Sequence, residues 1–359
     1  MNLSIYLGCV LIELLTAVNI RMSQAADQIP GIGHIRSPLL RSVYNKMRED
    51  EKQKNNPHDD WYTVDLSKVP EEICAKFLQF NQDEETSQFL NQCYEKSDWL
   101  FTQLGHSFCK SVLGWFMSST SINGLLKRGS MFVFSKDQLR QMLHVAPDRK
   151  GNRLLDLGAG DGMVTDIMAI DHLTGVGDGM VTDIMAIDHL TGAGDGMVTD
   201  IMAEFYNVVD STEMSPTMVW RLKEKGFNVI PVDTWDNGAV TYDLIGCLNL
   251  LDRCDKPMRI LQSIHRLLTP TGRAIVAVVL PFEPYVEFNS SDHKPIESLL
   301  IKGKTFEEQA ASFITDVFQP LGFFVEHFTR LPYLCEGDLN QSFFVLNDAV
   351  FVLKLKDKG

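Results

Sequence analysis

The sequence has no C-x-x-C pair, no H-x-x-x-H pair and no group of acids and imidazoles at metal-ligand spacing. Its seven cysteines (Cys9, Cys74, Cys93, Cys109, Cys247, Cys254 and Cys335) are scattered and odd in number. That pattern argues against a disulfide framework or a zinc knuckle and reads as buried thiols, so no metal is expected. Basic residues are in the minority, with 33 Lys and Arg against 47 Asp and Glu and a formal charge of −14. Phosphate binding draws its energy from basic side chains, so no nucleic-acid partner is expected. A clean apolar run of membrane length is also missing. Residues 1–22, MNLSIYLGCVLIELLTAVNIRM, are interrupted by Glu13, end at Arg21 and lack the usual positive leader. A carboxylate in hydrocarbon costs a few kcal/mol. The segment is expected to be either a signal peptide cleaved near SQAAD or a membrane-associating helix, rather than a complete span.

What is present suits a folded chain of one large domain or two, with 45% apolar and 22% charged residues among 359. Residues 23–60 are polar and irregular and are expected as a linker. Residues 61–148 carry apolar positions at intervals of three and four and are expected to form a helical N-terminal subdomain. Residues 149–359 alternate strand-like and helix-like segments in the manner of an α/β domain.

A tandem repeat of period 17 occupies residues 158–203: GAGDGMVTDIMAIDHLT, GVGDGMVTDIMAIDHLT and GAGDGMVTDIMA. Solenoid units are usually 20–50 residues long and must stack in numbers. Two full copies do not make one, so the repeat reads as a local duplication that adds 34 residues inside a domain. Each period brings three Asp and no Lys or Arg. Part of the acidity is therefore a product of duplication.

The run Arg153-Leu154-Leu155-Asp156-Leu157 enters Gly158-Ala159-Gly160, as a buried parallel strand does when it breaks into a tight turn at a ligand. The partner of such a turn is an acid ending the next strand, about 20 residues on, which accepts hydrogen bonds from ribose hydroxyls. Glu213, after the strand-like run Phe205–Asp210, is the candidate. It lies 55 residues after Gly158 but 21 after Gly192. Either the strand feeds Gly158-Ala159-Gly160 and the extra periods lengthen the next helix or protrude as a loop, or the third copy, Gly192-Ala193-Gly194, takes the site; the first is preferred. Asp156 beside the glycines favours a cationic cofactor, S-adenosylmethionine, over a pyrophosphate.

Thr241–Leu248 reads as a further buried strand, and Asn249 to Arg253 come after it at the edge where ligands collect in open α/β sheets. Asn249 is a candidate to hold the cofactor's methionine part or a substrate nitrogen, or to cap a helix. Asp252 is a candidate to orient substrate, or to pair with Arg253 on the surface. Tyr333 is a candidate to close over the pocket with its hydroxyl, or to pack in the core. Cys335 has no base nearby in sequence and is not expected to be a nucleophile.

The segments RSPLLRSVYNKM, WYTVD, TSINGLLKRGSMFVFS, LLDLGAGDG, YDLIGCLNLLDRCDKP, LPFEPYVE, IKGKTFEEQ and TRLPYLCEGD together resemble the DREV family of protein-histidine N-pros-methyltransferases, over Arg36 to Leu355 apart from the inserted periods. The resemblance implies a Rossmann-like α/β fold, the seven-stranded sheet of S-adenosylmethionine-dependent methyltransferases with a helical N-terminal extension. It implies methyl transfer to the pros nitrogen of histidine in protein substrates with His-x-His motifs. Asp156, Gly158, Gly160, Glu213, Asn249 and Tyr333 then fall on cofactor-contact positions. It further implies residence at the endoplasmic reticulum or mitochondrion, with secretion or a cytoplasmic location as alternatives. Other open readings are a methyltransferase acting on another substrate, and a protein impaired by the repeat that still binds His-rich partners.

Overall fold

The computed structural model describes residues 38–158, 202 and 205–356, apart from 55, 114, 116–121, 123–125, 127–128, 145–150, 225, 239, 287–292 and 339. Residues 49–359 form one compact unit, and residues 1–48 form a second, described from Pro38 onward. The apolar segment 1–22 and almost all of the repeat lie outside the described residues. No described helix is long and apolar enough to cross a membrane.

Eight strands make one sheet: β1 Met131–Phe132, β2 Gly151–Leu157, β3 Tyr206–Thr212, β4 Asn228–Ile230, β5 Tyr242–Leu248, β6 Leu268–Val279, β7 Phe323–Glu336 and β8 Phe343–Leu355. Their order is β1-β7-β8-β6-β5-β2-β3-β4. Strands β4, β3, β2, β5 and β6 run parallel, and β8, β7 and β1 are each antiparallel to their neighbours. The sheet is thus the expected seven-stranded one with a two-residue edge strand added from the N-terminal segment.

Both faces are covered, which explains why the strands read as continuous apolar runs rather than alternating ones. Leu155, Leu157, Ile245, Val276 and Phe351 face the helices Pro257–Leu267 and Phe306–Ser312, the latter continuing as wider π turns over Phe313–Phe318. Leu154, Leu244, Ile275 and Val350 face the other way, onto Leu139, Met142 and Leu143 of the helix Lys136–Leu143. Ser135 and Gln138 close a reciprocal capping box at that helix's start.

Local chemistry shifts several expected boundaries. The polar segment 23–60 contains the helix Pro38–Lys54. Proline suits the first helical position, and Glu49 holds both Lys52 (3.2 Å) and Gln53 (3.0 Å) on an exposed face. A charged composition that reads as linker also suits a solvated helix. The long helical run after residue 84 is two helices, Glu84–Asp98 and Leu100–Leu113, separated at Trp99 with ψ of 72°. Strand β6 begins directly at Leu268, where the helix Pro257–Leu267 ends, with an irregular register opposite Tyr242 and Leu244.

The N-terminal segment also covers the sheet's edge. Leu78 N–H donates to Phe328 O (2.9 Å) and Phe328 N–H to Lys76 O (3.0 Å), beside the β7 positions that β1 does not reach. An uncovered strand edge invites association with other chains, and these bonds close it. The helix Glu84–Asp98 packs Phe89, Leu90, Cys93 and Tyr94 onto Phe132, Leu334 and Phe343, with Lys96 paired to Glu336 at 3.0 Å.

Phe351 sits at the centre of the first core, its ring 5.1 Å from Phe318, 5.9 Å from Phe313 and 6.3 Å from Phe328. Phe351→Ala is expected to lower stability by about 3–5 kcal/mol in equilibrium denaturant unfolding. A loss under about 1 kcal/mol would contradict this packing.

Candidate functional site

Chain order changes direction at β2, which lies between β3 and β5. The connections leaving the carboxyl ends of β2 and β5 therefore diverge and leave a crevice, the usual ligand position in a doubly wound sheet. In-register pairing fixes what lines it. Asp156 lies opposite Ser211 of β3 on one side and Gly246 of β5 on the other.

Gly158 ends β2 with φ of +70°, a conformation that glycine adopts without strain. Its N–H donates to Thr212 Oγ1 (3.0 Å), which ties the turn to the end of β3. A Cβ at Gly158 would lie 2.9 Å from Leu250 Cδ1, so the turn also rests against the segment after β5. Glu213 comes directly after β3 and is buried, and its Oε1 accepts from Ser215 N–H (2.7 Å). Asp156, Gly158 and Glu213 are thus gathered at one corner by strand register, despite the 55 residues between Gly158 and Glu213. Strand β2 leads into Gly158; Gly160 and the alternative Gly192–Gly194, which separate the two arrangements, lie outside the described residues. Met202, in the third copy, is buried in the same core as Leu154, and Phe205 O accepts from Gly151 N–H (2.7 Å). Both described flanks of the repeat are therefore docked on the sheet beside β2.

The second corner lies beyond β5. Asn249 has φ of +52°, and its N–H donates to Ala277 O (2.9 Å). It does not cap the next helix, which starts at Pro257 after Lys256. Its Nδ2 donates to Asp348 Oδ2 (2.9 Å), a bond joining β5's end to β8 across β6. Asp252 pairs with Arg253 (Oδ2 to Nη2, 3.1 Å), and both side chains are buried. The pair, one of the two readings for Asp252, forms in the interior rather than on the surface, and Tyr285 N–H donates to Asp252 O (2.8 Å). Three buried acceptor oxygens, Asn249 Oδ1, Asp252 Oδ1 and Asp348 Oδ1, have no hydrogen-bond partner among the described residues.

Burial pushes the carboxyls of Asp252 and Asp348 up to about 8; the Asn249 bond acts in the opposite sense on Asp348. Burial also brings the Arg253 guanidinium down to about 10. The Asp252–Arg253 ion pair favours both charged forms and works against those shifts.

Tyr333 lies within β7, fully buried, and its hydroxyl donates to Met131 Sδ (3.3 Å). Burial holds that hydroxyl well above its usual range, with Asp348, Arg253 and Asp252 close enough to act on it electrostatically. It belongs to the second corner as a buried group rather than an open lid. Cys335 is buried with its thiol pushed up, a poor nucleophile. The described cysteines are all free.

Asp348 is absent from the candidates drawn from sequence. The signal was present: one acid inside FFVLNDAVFVLKL, a run otherwise apolar enough for an interior strand. An ionisable group there is costly unless it serves a partner.

The family model for DREV methyltransferases matches residues 61–189 and 181–355. The two matched stretches meet inside the second copy of the repeat, as expected if a continuous family sequence is interrupted by extra periods. Similar solved structures include a TehB-like SAM-dependent methyltransferase from Corynebacterium glutamicum, at 15% identity and a TM-score of 0.31, covering 62% of this chain and 87% of that one. Another is precorrin-6y C5,15-methyltransferase from Geobacter metallireducens, at 11% identity and a TM-score of 0.32, with 62% and 87% covered.

The residues fit S-adenosylmethionine on their own chemistry. That cofactor carries a sulfonium and an ammonium, and the crevice offers buried carboxyls at Asp156, Glu213, Asp252 and Asp348 together with orphaned acceptors. Glu213 would hold the ribose hydroxyls, and Asp156 with the Gly158 turn would take the methionine side. Glu213→Ala is expected to weaken cofactor binding at least about tenfold, since a hydrogen bond to a charged group contributes about 1.5–3 kcal/mol. Calorimetric titration checks this; unchanged affinity in a folded variant would remove Glu213 from the site.

Proposed function

The chain belongs to the DREV methyltransferase family, and on that premise we propose that this S-adenosylmethionine-dependent methyltransferase acts on histidine in protein substrates carrying His-x-His motifs, methylating the pros nitrogen. The observation that carries the reading is the pair of buried acceptor oxygens, Asn249 Oδ1 and Asp252 Oδ1, in the segment whose Leu250 meets the Gly158 turn.

A neutral imidazole has one N–H donor and one lone pair. A pocket of acceptors binds the ring through its N–H and leaves the other nitrogen as the nucleophile. With an ordinary pKa near 6.5 the ring is already neutral at pH 7 and needs no strong base, whereas a lysine near 10.4 must first lose a proton to carboxyls that titrate about two units lower. Holding the tele N–H on Asn249 Oδ1 or Asp252 Oδ1 presents the pros nitrogen for attack. The cofactor, when bound, supplies an electrophilic methyl on sulfur. Its thioether would be the leaving group, and the imidazole nitrogen left free by the acceptors would take the methyl, so that positive charge would develop on the ring. Buried carboxyls, once ionised, would stabilise that charge where it develops. The distal proton then leaves to Asp252 or to water. The chain's part is alignment, exclusion of the wrong nitrogen and acceptance of charge. A net charge of −14 favours approach of peptides that carry histidine and lysine.

Incubation with a His-Ala-His peptide and analysis of the methylated product is expected to give the pros isomer. Methylation confined to the tele nitrogen or to lysine would reject the reading.

The kcat/KM for such a peptide is expected to rise with pH through two limbs. One lies near 6.5, where the substrate ring becomes neutral, and one lies near 8, where the buried carboxyls ionise and gain attraction for a cation. A pH–rate profile that falls between 7 and 8.5 would contradict the assignment.

A further inference from the structure

We infer that Asp348 is a positioning residue for methyl transfer: it orients the Asn249 carboxamide so that the carbonyl oxygen, and not the amide NH2, faces the ligand. The inference deepens the histidine reading and rests on it for the identity of that ligand.

Asp348 occupies the middle of β8, opposite Val279 of β6 and Leu331 of β7, with Ala349, Val350 and Phe351 next to it in the core. Its side chain is wholly buried. Nothing in the strand's packing calls for an acid at that position, and an apolar residue would sit there at lower cost. The Asn249 amide gives it a use. Asn249 is held by its backbone bond to Ala277 and its left-handed conformation, so its side chain leaves the chain in a fixed direction. The remaining freedom is rotation of the carboxamide, which exchanges a donor for an acceptor. Nδ2 faces Asp348 Oδ2 at 2.9 Å and Oδ1 turns away, an orientation that the ionised form of Asp348, which accepts and cannot donate, holds in place. Oδ1 is buried and has no hydrogen-bond partner among the described residues. It is left as an acceptor for an incoming N–H.

The reverse orientation would present two donors to the ligand. Such a pocket would bind the lone pair of a neutral imidazole, the electron pair the reaction requires, and would hold the ring in an unproductive state. Asp348 therefore acts on turnover through Asn249, without touching the reacting atoms. Asp252, Tyr333 and Cys335 are the titratable groups around it, and none of them has a hydrogen bond to the Asn249 side chain among those described.

Three variants test this in the full-length protein. Asp348→Asn keeps an oxygen that can accept from Asn249 Nδ2, whereas Asp348→Leu and Asp348→Ala remove the acceptor. The expected pattern with a His-Ala-His peptide is a loss in kcat of about tenfold or more for Asp348→Leu and Asp348→Ala, the size of a lost hydrogen bond to a charged group. Asp348→Asn is expected to restore activity to within about threefold of the parent. A second readout is independent of substrate. In protein labelled at asparagine nitrogen, one Asn249 side-chain amide proton is expected downfield in the parent and in Asp348→Asn, and shifted upfield in Asp348→Leu. If Asp348→Leu fails to fold, Asp348→Ala and the amide spectrum decide. Unchanged kcat in a folded variant without the acceptor, or an Asn249 amide signal indifferent to Asp348, would overturn the inference. An inactive parent enzyme with the amide pattern as expected would instead reject the histidine reading and leave the orientation of Asn249 established.

Discussion

The constraint on which this structure depends is the placement of carboxyl groups out of water at the carboxyl ends of parallel strands. Asp156, Glu213, Asp252 and Asp348 are each no more than 5% exposed. Burying one acid costs several kcal/mol when nothing answers its charge, and four around one crevice repel one another as well. Arg253 answers Asp252, the Asn249 amide answers Asp348 and the Ser215 N–H answers Glu213. A sulfonium nucleoside and an imidazole N–H would bring further positive charge and N–H donors. Stability given up at such a site is the usual accompaniment of an arrangement kept for binding or catalysis.

Strand order does the gathering. Because β2 is central, its neighbours β3 and β5 bring Glu213 and Asn249 to either side of the Gly158 turn, and the antiparallel β8 reaches the same region through β6. Small residues make the approach possible. Gly246 lies opposite Asp156, and a Cβ there would stand 3.2 Å from both the Asp156 carboxyl and the Met202 methyl group. Gly158 tolerates a left-handed turn and the proximity of Leu250 in the same way.

The described flanks of the duplication are both docked on the sheet. Gly158 begins the first copy at the end of β2, and Met202, late in the third, packs on Leu154 beneath the sheet. The sheet therefore sees the start of one copy and the end of another. The added periods lie between two points already docked beside the same strand, so the register of β2 with β3 and β5 survives an insertion of two periods.

The sequence by itself determined the alternation of elements, the buried parallel strands, the glycine turn with its subsequent acid, and family membership. These rest on local patterns along the chain: apolar runs, turn residues and motif spacing. The polar helix Pro38–Lys54 escaped because solvated helices and linkers share a composition, and the break at Trp99 because apolar spacing continues through it. Only the tertiary structure decided the rest. It buried the Asp252–Arg253 pair, drew Tyr333 into the interior against Met131, and brought Asp348 to Asn249 across 99 residues. The reason is physical: whether an acid is solvated or buried, and which amide it meets, depends on strands that pair across the sheet, and no spacing along the chain encodes that encounter.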